Sequence, residues 1–190
     1  MATQRTQQAQ QGAGASDIAA QGPRGIGTGV AFDWALSAQI LIMAPFFALG
    51  VGPGSATAGA PLAARIGIVV ASVIAASLIG GIGEALRRGN RYAWMFQMGF
   101  NTLLIFDGVF EIPGALHLLS QGLYSGLVRG FVLLIIDPII VYLLTRPQTR
   151  AWIARVTPAE AMARHGGRWV AFVAFCAVIG GALIAFHGYY

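Results

Sequence analysis

The chain has 190 residues, 56% of them hydrophobic and only 10% charged, with a mean hydropathy of +0.68. A soluble domain carries about 25% charged residues, so this balance excludes an ordinary water-soluble globule and points to lipid. All 12 basic residues are arginine, and the net charge of +5 they produce fits the flanks of membrane spans, not a nucleic-acid surface.

Residues 1–29 form a polar tail of Gln, Ala, Gly and Ser without the roughly 7–15-residue apolar core of a signal peptide. Such a segment cannot bury enough surface to offset its ordering entropy, so docking on a partner protein is the expected way to hold it. Its last stretch, GIGTG at 25–29, has glycines but neither the lysine nor the strand that phosphate binding requires.

A membrane span needs about 20 apolar residues. Five stretches of the 30–190 domain qualify, at 30–52, 62–86, 92–112, 123–145 and 168–187. An all-α integral membrane bundle of five transmembrane helices is therefore expected.

The first span carries Asp33 and Gln39. If it begins near Ala31, Gln39 sits about 12 Å deep. The second span is uninterrupted, and Ser72, Ala76 and Gly80 recur every fourth residue, a small-residue face on which helices approach closely. The third holds Gln97, Asn101, Asp107 and Glu111.

The fourth span contains Gly122, Gly126 and Gly130 at the same spacing, together with Arg129 and Asp137. Along helices rising about 1.5 Å per residue, Asp107 lies about 24 Å beyond Arg91 and Arg129 about 25 Å before Arg146. The opposite charges share a level on consecutive antiparallel helices. Because intramembrane charges are costly unless paired or wet, an Asp107–Arg129 pair is expected, with Glu111 as a second, interfacial acceptor. Asn101, Asp137 and Gln39 form a deeper polar layer. Asp137 precedes Pro138, whose missing N–H tends to kink a helix. It fits either an ion pathway or a protonated aspartate fastening spans three and four together.

Between spans four and five, residues 147–166 read as a short amphipathic helix on the membrane surface, with Trp152, Ile153 and Val156 on one face. Thr157 to Glu160 has capping-box spacing, and Gly166 and Gly167 suit a stop. The fifth span contains the single cysteine, Cys176, which reads as a buried structural thiol.

Arginine placement sets an orientation. Arg5, Arg24, Arg87, Arg88 and Arg91, then Arg146, Arg150, Arg155, Arg164 and Arg168, all fall on one side. The positive-inside rule puts that side and the N-terminus in the cytoplasm, with the C-terminus outside. Trp34, Trp94 and Trp169 open spans on that side, as interfacial aromatics do.

No metal site, HExxH, GxSxG, Walker or CxxCH motif occurs, so no enzyme activity is expected and no cofactor is required. His117 and His187 at the outer edge offer a weaker reading as ligands of heme or chlorophyll. The leading expectation is an accessory or scaffolding subunit of a larger inner-membrane assembly, with energy-transducing complexes as candidates. Its partners would be other membrane subunits and lipids, a homo-oligomer being one form of this. The rival is a small proton- or ion-coupled transporter using Asp107, Glu111 and Asp137.

Overall fold

The computed structural model describes residues 23, 25–51, 59–122 and 125–186. They form α1 (Gly25–Leu49), α2 (Leu62–Arg87), α3 (Arg91–Ser120), α4 (Ser125–Phe131), a π-helical turn (Val132–Ile136), α5 (Asp137–Thr145), α6 (Pro147–Arg155), α7 (Pro158–Arg164) and α8 (Arg168–Phe186), with no strand among the described residues. Five helical stretches are long and apolar enough to cross a membrane: α1, α2, α3, the run Gly126–Thr145, and α8. The chain is an all-helical, multi-pass membrane protein by that measure. Residues 1–22, including the expected docking tail, and His187 at the other end lie outside the described residues.

Local chemistry explains the breaks. Gly89, at φ +75°, ends α2 in the left-handed region, and the Asn90 side chain then accepts from the Tyr92 and Ala93 amides to start α3. At the opposite end, Arg65 donates to the carbonyls of Ala60 and Leu49 and so ties the start of α2 to the end of α1. Thr157 and Glu160 form a reciprocal capping box at the start of α7.

α1 is the central helix, flanked along its length by α2 and α8, while α3 packs on α4, the π turn and α5. The two groups meet where α5 touches α1 and where α3 touches α2. Narrow stripes of small residues let the backbones approach. Ala76 and Gly80 of α2 lie against Ser37 of α1, which donates to the Ala76 carbonyl, and Gly181 of α8 lies against Ala35, Ala38 and Gln39. The apolar core gathers at the arginine-rich end, around Ile26, Leu86, Ile140, Leu144 and Trp152. Leu62, Ile66, Val70, Val73, Ile74 and Leu78 of α2 face outward instead. Apolar residues outside and polar ones inside is the arrangement that lipid favours.

Four expectations change here. α1 starts at Gly25, not residue 30, because Gly25 and Gly29 let it pass close to Leu143 and Leu86. Gly122 is not on a helix face. It lies in the turn after α3 at φ +77°, so only Gly126 and Gly130 of that triplet are helical. The 147–166 segment is two helices, and Trp152 and Ile153 are buried in the core. Cys176 is exposed on α8.

Candidate functional site

Four polar side chains are sealed between the two helix groups: Asp33 on α1, Gln97 and Asn101 on α3, and Asp137 at the head of α5, none more than 1% exposed. Gln97 Nε2 donates to Asp33 Oδ1 at 2.7 Å, and Asn101 Nδ2 donates to the Gln97 carbonyl at 2.7 Å. The helix register brings Asp137 to the same level. Trp94 Nε1 bonds the Leu144 carbonyl, and Asn101 and Asp137 lie seven residues beyond Trp94 and before Leu144, respectively, on antiparallel helices. On the α1 side, Gly25 lies against Leu143 and Gly29 approaches Ile140. Asp33, four residues after Gly29, therefore reaches the level of Asp137, three before Ile140.

Asp33 occupies the place expected for Gln39. Moving the start of α1 from Ala31 to Gly25 shifts every residue of that helix outward by about 9 Å, which carries Gln39 past the layer onto the wall of a cleft. Asp33 was legible as an intramembrane acid, but its depth depended on the helix start.

Farther from the arginine-rich end, Arg129 Nη2 donates to Asp107 Oδ2 at 3.0 Å and Arg129 Nε lies 2.6 Å from Glu111 Oε2. One guanidinium thus serves two carboxylates, which leaves the group one negative charge in excess. The triad does not face a packed interior. The side chains are 58%, 49% and 40% exposed for Arg129, Asp107 and Glu111. Arg129 and Glu111 line a cleft of about 1360 Å³ between α1, α3, α4 and the end of α8. Its inner wall includes Phe32, Phe100 and Leu133, and its flank includes Gly114 and Gly130. A Cβ at either glycine would meet nothing within 4 Å.

A second buried cluster locks the arginine-rich end. Arg87 holds both oxygens of Glu84 at 2.6 Å and donates from Nη1 to the His165 carbonyl at 2.7 Å. The His165 ring, 3% exposed, lies between Trp152 and Trp169, with centroids 5.6 and 4.7 Å away. Burial pushes its pKa down from 6.5 to about 4; a hydrogen bond between the ring and the Arg87 backbone opposes this, and the Arg164 and Arg87 charges reinforce it. Nothing in the sequence spacing marks this cluster, since 78 residues separate Arg87 from His165. Its consequence is a pH dependence. Between pH 6.5 and about 4 the unfolded chain binds a proton at His165 that the folded chain refuses. Stability present above pH 6.5 is therefore lost progressively as the pH falls through that window. Melting curves of wild type and His165→Gln should diverge most at neutral pH and converge toward pH 4; parallel profiles would refute the assignment.

Of the remaining candidates, Ser72, on α2, is partly buried, Gly126 packs against Ala115 of α3, and His117 is exposed near the end of α3 with Nε2 3.0 Å from Gln121 Nε2. Among the described residues no group of three His, Cys, Asp or Glu side chains gathers to hold a metal. Comparison with known proteins finds no match: no family model fits the chain, and no curated protein or solved structure resembles it significantly.

Proposed function

We propose that the protein is a non-catalytic subunit of a larger membrane assembly, docked through the cleft lined by Glu111 and Arg129, the latter paired with Asp107. The observation that carries this reading is a charged triad, roughly half exposed, on a helix surface at membrane depth. Facing lipid, such a group costs several kcal/mol. A partner helix seated in the cleft would remove the triad from lipid, and a basic or hydrogen-bonding side chain on it would offset the excess negative charge. The open glycines Gly114 and Gly130 leave room for a close backbone approach. With the arginine-rich end in the cytoplasm, this docking face opens toward the outer half of a cell membrane.

Gly130→Leu is the discriminating variant, because a Cβ there meets nothing within 4 Å and the side chain extends from an open position on the cleft wall. In mild-detergent extracts, wild type should comigrate with a large assembly on native gels, with mass spectrometry identifying its neighbours. Gly130→Leu should migrate alone while keeping its melting temperature. Wild type that migrates as a colourless monomer would end this reading. The second reading, ion-coupled transport, is favoured by the buried carboxylates Asp33 and Asp137 beside the inner wall of the cleft. It predicts that Asp137→Asn abolishes transport and leaves migration unchanged.

A further inference from the structure

The layer around Asp33 and Asp137 is unbalanced in its hydrogen bonding. Five side-chain oxygens have no partner: Asp33 Oδ2, Gln97 Oε1, Asn101 Oδ1 and both oxygens of Asp137. Every one is an acceptor as placed, and every one is sealed from solvent. Leaving buried polar atoms unpaired costs about 1–3 kcal/mol each, more for charged groups. A chain that accumulates five at one level has something to set against that cost.

The backbone adds to the deficit at the same place. Asp137 N–H reaches back five residues to the Val132 carbonyl, and Pro138 has no N–H to offer. The π turn is therefore one donor short immediately beside the layer. Interruptions of this kind recur at functional sites.

Charge points the same way as hydrogen bonding. The ion pairs among the described residues engage Glu84, Asp107 and Glu111, and none reaches Asp33 or Asp137. Arg87 and Arg88 are occupied by Glu84, and Arg129 by the triad. Two carboxylates deep in the membrane span, about 12–14 Å from the arginine-rich face by helix rise, thus lack a countercharge among the described residues. What completes the layer must be cationic, small and able to accept several oxygens at once.

We propose that Asp33, Gln97, Asn101 and Asp137 form a binding site for a small monovalent cation, a sodium ion or a proton. Carboxylate and amide oxygens are the hard ligands such cations take, in preference to sulfur or imidazole. Asp33 is steadied by Gln97, Asn101 is tied to the turn of α3 below it, and Asp137 sits on the interrupted helix that can adjust around an ion. Phe32, Phe100 and Leu133, on the inner wall of the cleft, are sequence neighbours of the site residues or lie one turn away, so the cleft lies beside the sealed site. The site stands whether or not the cleft docks a partner.

The test uses the full chain purified in mild detergent at pH 7.5. Sodium chloride is exchanged for choline chloride at constant ionic strength, and melting is followed in each. A ligand at 100 times its Kd raises the folded-to-unfolded ratio about 100-fold. If sodium occupies the site, the melting temperature rises with sodium and the rise disappears in Asp137→Asn. Should Asp137→Asn not fold, Asn101→Leu, which removes one ligand, should weaken the sodium response. If a proton occupies it, sodium has no effect, and an apolar carbodiimide, which needs a protonated carboxyl, adds to Asp33 or Asp137 as read by peptide mass. Neither a sodium response nor an adduct at these two residues would overturn the proposal.

Discussion

Arg129→Met is expected to destabilise the protein by about 3–5 kcal/mol, the cost of breaking a desolvated pair by removing one member. The reason is arithmetic on charge: one guanidinium holds Asp107 at 3.0 Å and Glu111 at 2.6 Å. Removing it leaves two like charges on consecutive turns of one helix at membrane depth. Asp107→Leu alone leaves Arg129 with Glu111, so it costs less. The Asp107→Leu, Arg129→Met double variant should recover most of the loss, and adding Glu111→Gln the rest. Denaturant titration in bicelles reads these values. The size of the first effect also reports the solvent of the cleft. A loss under about 1 kcal/mol, as for exposed pairs in water, would mean that the cleft is wet. A double variant no better than the worse single one would show that the pair contributes nothing to stability.

Gly181→Leu should detach α8. A Cβ at that position would come within 2.5 Å of the Ala35 carbonyl oxygen, 2.9 Å of the Gln39 amide and 3.0 Å of Ala38 Cβ. Two of these are backbone atoms of the central helix, so they cannot rotate aside. Overpacking a well-fitted contact costs about 1–3 kcal/mol, and a leucine against backbone belongs at or above the top of that range. α8 has its principal contact with α1, so the loss removes most of what holds the helix. Gly81→Leu is the control, since a Cβ there would meet nothing within 4 Å outside its own helix turn. Melting temperatures should fall sharply for Gly181→Leu, by an intermediate amount for Gly181→Ala, and hardly at all for Gly81→Leu. Equal effects at the two positions would show that helix propensity, not the contact, sets the cost.

The small-residue stripes illustrate how far pattern reading reaches. Ala76 and Gly80 recur at a spacing that reads as a close-contact face, and they do lie against Ser37 of α1. Gly126 and Gly130 have the same spacing, yet one packs on Ala115 and the other is open. Spacing reports that two backbones could approach. It does not say which helix is present to do so. Gly122 shows the second ambiguity, because glycine suits both a packing face and a left-handed turn, and here the turn takes it.

Apolar run length, arginine placement and helix rise were enough to anticipate five helices able to cross a membrane, and a level shared by Asp107 and Arg129. These are one-dimensional quantities, since a helix converts residue number directly into depth. The three-dimensional packing chose what each side chain faces at that depth. It placed Arg129 and Glu111 on an open cleft, replaced Gln39 by Asp33 in the buried layer through a six-residue shift in the start of α1, and joined Arg87 to His165 across 78 residues. Rotation about a helix axis and the choice of neighbour come from contacts between distant segments, and depth along a helix carries no record of them.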